Sequence, residues 1–188
     1  EFSIYYKDRE TRDLFYDYIF EGGMSGSYIY KTIDEKYEYL ENGVEGLIIR
    51  DIITKYKIEN INLLNKIIDF LFDNISNPTS SRKIANVLTN NNNITNHKTV
   101  SKYIKYLCNA YLFYPIKRFD LVGKKYLTTN EKYYLADHAF KYARLGTRNI
   151  NRGRSEENIV LLELLRRKYK VYAGILYKNE IDFVAMNS

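Results

Sequence analysis

The chain has 188 residues, 45% hydrophobic and 28% charged, with 20 Tyr, no Trp and one Cys. That balance belongs to a globular chain and excludes disordered and collagenous classes. No apolar run reaches the roughly 20 residues of a membrane span, no basic-then-apolar leader is present, and the single Cys108 excludes an internal disulfide, so the expectation is a cytoplasmic protein with no membrane partner.

Charge divides the chain into three. Residues 1–79 carry nine Lys/Arg against fifteen Asp/Glu, 80–130 nine against one, and 131–188 eleven against seven, for a net charge of +6. A basic middle segment is the footprint expected of a phosphate-facing surface. The same charge also suits a solvated helix face.

Leu14, Phe15, Tyr18 and Ile19 recur at helical spacing, and Gly22-Gly23 stops that helix. The Gly pair is no phosphate loop, because no Lys-Ser/Thr follows and no strand precedes it. From Tyr37 to Tyr56 the apolar residues keep a three-to-four spacing, which predicts one long helix or two joined near Gly43. Asn62 to Asn74 is an amphipathic helix closed by Asn77-Pro78.

Ser80 or Ser81 caps the next helix, with Ile84, Val87 and Leu88 inward. Asn90–Asn93 reads as a turn. Asn96 caps a further helix, on which Val100, Ile104, Leu107 and Tyr111 form one stripe. Lys98, Lys102, Lys105 and Asn109 form another on a different face. Such a separation lets one side pack while the other offers cations to a groove. Phe113–Phe119, with Lys125 to Leu127 and Lys132 to Ala136 as the returning strand, then read as a hairpin. Helix, turn, helix and hairpin make a winged helix-turn-helix. Its candidate nucleic-acid contacts are Lys98, Ser101, Lys102 and Lys105 on the second helix and Lys117, Arg118, Lys124 and Lys125 on the wing. That helix shows Lys but no Arg, so backbone contact is expected over base reading.

Arg144, Arg148, Arg152 and Arg154 follow. Asp137-His138 is read as a cap and packing pair, with a catalytic pair as the other possibility. Cys108 reads as a near-core residue, and the two His have no metal-ligand spacing. Ser155 is expected to cap a helix with Ile159, Leu161, Leu162 and Leu165 as its apolar side. Lys170–Ala173 and Glu180–Ala185 close the chain as two strands.

That ending, with Glu157 on the helix and Asp182 in the last strand, resembles the start of the PD-(D/E)XK nuclease core. The resemblance implies that Glu157 and Asp182 stand where that family's catalytic acids stand. Asp182 would be a possible Mg²⁺ ligand. A third strand with Glu-x-Lys would have to follow Ser188.

The ordered set GGM (22–24), IIRDIITKY (48–56), HKTVSKYIKYL (97–107), KYYLADHAF (132–140), GRSEENIVLLELLRRKYKVY (153–172) and EIDFVA (180–185) is similar to the C-terminal half of bacterial and archaeal AAA-type ATP-binding proteins. There a P-loop ATPase module precedes a winged helix and a degenerate nuclease-like domain of unknown function. The resemblance implies a mainly α chain with an α+β end. It has a helical lid-like region (1–79), a winged helix-turn-helix (80–137) and a truncated restriction-endonuclease-like helix and β-hairpin (138–188). Glu1-Phe2 would mark the point where the ATPase module gives way to the lid, and Ser25 stands where the family often has Pro. It further implies an upstream P-loop module as partner, with ATP and Mg²⁺ for the parent protein. No Walker A or Walker B is present, so these residues should neither bind nor hydrolyse ATP alone. Arg50-Asp51 is either a lid arginine that senses a nucleotide or a surface pair.

The leading expectation is therefore a non-catalytic part of an ATPase that binds nucleic acid non-specifically; a homo-oligomer, in which the acidic N-terminal third of one copy meets the basic face of another, belongs to the protein-interaction alternative. The alternatives are a protein-interaction module and part of an Mg²⁺-dependent nuclease.

Overall fold

The computed structural model describes residues 10–90, 95–147 and 151–187. The Glu1-Phe2 opening, Asn91–Asn93 of the Asn run, and Arg148 lie outside them.

Helix α1 (Thr11–Glu21) ends where Gly22 adopts φ +77°, and the Gly22 amide donates to Tyr18 O at 2.9 Å. A 3₁₀ turn (Ser25–Ile29) leads to α2 (Ile33–Leu47). Thr32 opens α2 with a reciprocal box: its Oγ1 accepts from Glu35 N while the Glu35 carboxylate accepts from Thr32 N, satisfying donors that the first turn leaves free.

Of the two expected forms, one long helix or two joined near Gly43, the structure has the first. The helix runs on and widens into a π segment (Ile48–Thr54). Ile58 N donates to Ile53 O, five residues back, at 3.0 Å. Thr54 Oγ1 donates to Ile49 O at 2.8 Å. An isolated Gly costs a helix only about 1 kcal/mol, which the buried Leu40, Val44, Ile48 and Ile52 on the same helix offset.

Helix α3 (Ile61–Asp73) buries Leu63, Leu64, Ile67, Ile68, Leu71 and Phe72. Ser80, not Ser81, caps α4 (Ser81–Asn90), its Oγ accepting from Lys83 N at 3.2 Å. Asn96 caps α5 (His97–Asn109) as expected, accepting from Thr99 N at 2.9 Å. α3, α4 and α5 share one core with Val44, Ile48 and Ile52, and with Phe113 and Leu135 of the hairpin. The core therefore crosses residue 80.

Strands β1 (Phe113–Asp120) and β2 (Lys125–Leu135) form the antiparallel hairpin. β3 (Lys170–Leu176) and β4 (Asn179–Met186) form a second one. The two combine in one sheet of order β2-β1-β3-β4, with β1 parallel to β3 through Arg118–Asp120 and Ala173–Ile175. The sheet therefore crosses residue 137, and one edge of the wing hairpin is occupied.

Between the hairpins run α6 (Phe140–Leu145) and α7 (Arg152–Arg166), and α7 lies on the sheet over Ile116, Tyr134, Val171 and Ala173. Asn151 rather than Ser155 caps α7. Ser155 is fully buried one turn in, with its Oγ 2.5 Å from Tyr142 OH. Asn151 supplies a side-chain oxygen to Arg154 N before the helix begins, so the helix starts a turn early and spends Ser155 on packing. The chain is mainly α with an α+β end. Among the described residues, no helix is long and apolar enough to cross a membrane.

Candidate nucleic-acid interface

On α5 the two stripes separate as their spacing requires, except that Tyr111, counted in the apolar stripe, falls beyond the helix end at Asn109, takes φ +57° and is 71% exposed. Val100, Tyr103, Ile104 and Leu107 are buried, while Lys98, Ser101, Lys102, Lys105 and Asn109 are exposed. Among the described residues no carboxylate forms an ion pair with Lys98, Lys102 or Lys105. Three uncompensated cations on one ridge produce the positive potential that an anionic strand would meet.

Both flanks of this ridge are built. On one side an open groove of about 550 Å³ runs between α5 and the start of α4, with Ser81, Arg82, His97, Ser101 and Glu131 on its walls. On the other side Tyr106 lies flat against Tyr56, their rings 3.6 Å apart and 9° from parallel. Asn109 Nδ2 donates to Tyr56 OH at 3.4 Å. Lys55 Nζ stands 5.5 Å from the Tyr56 ring and Lys102 Nζ 5.8 Å from the Tyr106 ring. The sequence placed Tyr56 only as the last apolar position of the long helix and gave neither Lys55 nor Tyr56 a binding role. Their only signal was the Lys-Tyr pair closing the Ile-rich run.

The hairpin cations do not gather on one surface. Strand alternation sends Lys117 and Arg118 to opposite faces. Lys117 is exposed, whereas Arg118 is half-buried beside Leu127 and Ala173, with its Nε buried and unpartnered. Lys124 and Lys125 sit at the hairpin tip, where Asp120 accepts from the Val122 and Gly123 amides and Leu121 N donates to Ile175 O of β3. The arginines after the hairpin are engaged. Arg144 pairs with Asp69 at 2.6 Å, Arg154 donates to Asp73 O at 2.7 Å, and Arg152 pairs with Glu156 at 3.1 Å.

Gly22-Gly23 and Asp137-His138 form one junction. Asp137 accepts from Gly23 N at 2.6 Å and from Ala139 N at 2.9 Å; it closes the turn before α6 rather than capping that helix, whose cap position is Ala139 with no side-chain bond. A Cβ at Gly22 would fall on the Asp137 carboxylate. His138 Nε2 meets Tyr18 O at 2.7 Å, and burial lowers the imidazole pKa. Arg50 grips Asp51 through two hydrogen bonds of 2.7 and 2.8 Å and is 75% exposed, the geometry of a surface pair. Cys108 is half-buried, and burial above all, with Glu131, pushes its thiol up to about 12.

The nuclease-like acids are arranged differently from a metal site. Glu157 Oε1 accepts from Lys132 Nζ at 3.0 Å and from Tyr134 OH at 2.6 Å. Lys132 also pairs with Glu180, and Asp182 is exposed. Burial and then the Glu157 carboxylate raise the Tyr134 phenol above its ordinary value. The cation held between Glu157 and Glu180 is thus the lysine ammonium of the chain itself. Among the described residues, no group of three His, Cys, Asp or Glu side chains is placed to hold a metal.

These features define a basic, α-rich module whose helix-turn-helix face is open and whose hairpin is built into a mixed sheet. The chain belongs to the family described as a domain of unknown function, DUF8612, which matches residues 12–151. It is 39% identical over 141 residues to an uncharacterised protein of Haemophilus influenzae, covering 75% of this chain and 35% of that one. It is 29% identical over 153 residues to an uncharacterised protein of Methanocaldococcus jannaschii, covering 79% and 34%. The chain thus spans about a third of the length of these relatives. No solved structure matches.

Proposed function

We propose that this chain is a non-catalytic, nucleic-acid-binding module of a larger cytoplasmic AAA-type ATPase, whose P-loop module with its ATP and Mg²⁺ lies in the rest of the parent protein. The observation that carries the binding reading is the α5 ridge, on which Lys98, Lys102 and Lys105 are exposed and, among the described residues, form no ion pair. Lysine offers point charges rather than a planar fork, so these contacts go to phosphate and not to base edges. Binding is therefore strong at low salt and indifferent to sequence. The motif order from GGM to EIDFVA and the greater length of the relatives support the ATPase part of the reading.

Fluorescence anisotropy of a labelled random-sequence duplex tests it. The triple reversal K98E/K102E/K105E abolishes binding, and an unchanged affinity contradicts the proposal. A second reading, a protein-interaction module, draws on an apolar groove of about 260 Å³ lined by residues such as Met24, Val44, Leu47, Tyr111 and Phe140. Light scattering across a concentration series separates the two: a monomer that binds the duplex favours the first reading over self-association.

A further inference from the structure

The π segment Ile48–Thr54 and the Lys55-Tyr56 pair that follows it take no part in the face described by the helix-turn-helix alone. π turns are rare, and they occur frequently at functional sites. Relative to an uninterrupted α-helix, each added residue turns the downstream side chains by about 100°. That rotation sets where Lys55 and Tyr56 emerge, and they emerge on α5. Tyr56 stacks on Tyr106 at 3.6 Å and is held at its hydroxyl by Asn109.

The stacked pair is bracketed by cations, Lys55 over one ring and Lys102 over the other. Among the described residues no acid forms an ion pair with either cation, although Asp51 lies close enough for Lys55 to act on its carboxyl. Asp51, one turn before Lys55, has both carboxylate oxygens on Arg50, and the Arg50 hydrogen bonds, ahead of Lys55, hold its carboxyl below the usual range. Lys55 is exposed, and among the described residues it forms no ion pair.

We propose that Lys55 and Tyr56 form a second ledge of the nucleic-acid surface, taking a backbone phosphate beside the α5 ridge, with the Tyr56–Tyr106 stack fixing Lys55 and Lys102 at its two sides. This rests on the reading of α5 as the nucleic-acid face. The ligand class is the phosphodiester backbone. The ledge makes the helices before residue 80 part of the binding surface rather than a separate layer.

The test compares the full chain with K55A, Y56F and Y56A, using anisotropy of a fluorescein-labelled duplex at several salt concentrations. Each phosphate contact weakens binding by roughly 3.5-fold between about 50 and 200 mM salt. K55A should lose one such factor from the salt dependence as well as affinity. Y56F keeps the stack but loses the Asn109 hydrogen bond and should weaken binding less than Y56A, with the helical circular dichroism of both unchanged. A K55A variant with the affinity and salt dependence of the parent overturns the ledge, whatever Y56A does. Loss of binding in K98E/K102E/K105E together with that result sinks the ledge alone. A parent chain that does not bind the duplex sinks the α5 reading and the ledge together.

Discussion

Lys132 is the most consequential side chain of the sheet, and its removal gives a stability change that can be worked from the structure. The side chain is 1% exposed and its ammonium joins Glu157, 16% exposed, and Glu180, 37% exposed. It ties β2 to α7 and to β4 at one point. Replacing it by Met keeps the aliphatic volume and leaves both carboxylates without their cation. Breaking one side of a buried ion pair costs about 3–5 kcal/mol, because a buried charge is left uncompensated. Glu180 can turn to water, so the lower end applies. K132M should lose about 3 kcal/mol, or roughly 6–12 °C in Tm for a chain of this size.

Urea denaturation followed by circular dichroism measures the loss. The double variant K132M/E157Q should recover part of it, since the charge that was stranded is gone. The pH dependence carries a sign. Burial pulls the Lys132 ammonium down, but Glu180 and Glu157 outweigh burial and hold it above the ordinary lysine value. A folded value above the unfolded one means that the contribution is complete below about 10.4 and drains away as pH rises through the raised value. The gap between parent and K132M should therefore be constant near neutrality and close only in strong alkali. A K132M variant within about 0.5 kcal/mol of the parent, or a double variant whose loss equals the sum of the singles, refutes the reasoning.

Two further outcomes follow from named contacts. G22A should be destabilised by about 2–4 kcal/mol in the same denaturation assay, because a Cβ at φ +77° is strained and displaces the Asp137 carboxylate from its two amide donors. Cys108, with its thiol pushed up to about 12, should alkylate with iodoacetamide at pH 8 on the order of 100-fold more slowly in the folded chain than in urea. Equal rates would place the thiol at the surface.

Local features of the fold were legible in the sequence, and non-local ones were not. Asn96 as a cap and the two stripes of α5 follow from spacing and a side-chain oxygen, and the structure has both apart from Tyr111, which lies past the helix end and is exposed. The hairpin strands were equally readable, since alternation is a local signal. The π segment was not, because IIRDIIT keeps apolar residues inward whether the turn holds four residues or five. The parallel pairing of β1 with β3 joins residues more than fifty positions apart, with nothing in either strand naming its partner. The α7 start was missed because Asn151 and Ser155 are both competent caps, and the burial of Ser155 against Tyr142 decides between them.

The site divides in the same way. The α5 cations were visible as a stripe, while Lys55 and Tyr56 reach α5 only through the three-dimensional course of the π segment. Arg118 illustrates the reverse case. Its charge suggested a phosphate contact, and strand alternation with the parallel β3 neighbour turned it half-inward. Lys132 carried a usable signal, an inward strand position occupied by a cation alongside Tyr134. Its partners Glu157 and Glu180 lie on other elements, and spacing alone could not supply them.

The most direct test of the central claim is the salt dependence of duplex binding by the full chain and by K98A/K102A/K105A. Three phosphate contacts on α5 give a slope of log K against log salt of about −2.7 from this helix alone. The account predicts that the triple variant loses about that much slope, equally on duplexes of unrelated sequence. A parent slope near zero, or a slope unchanged by removing the three lysines, would contradict it.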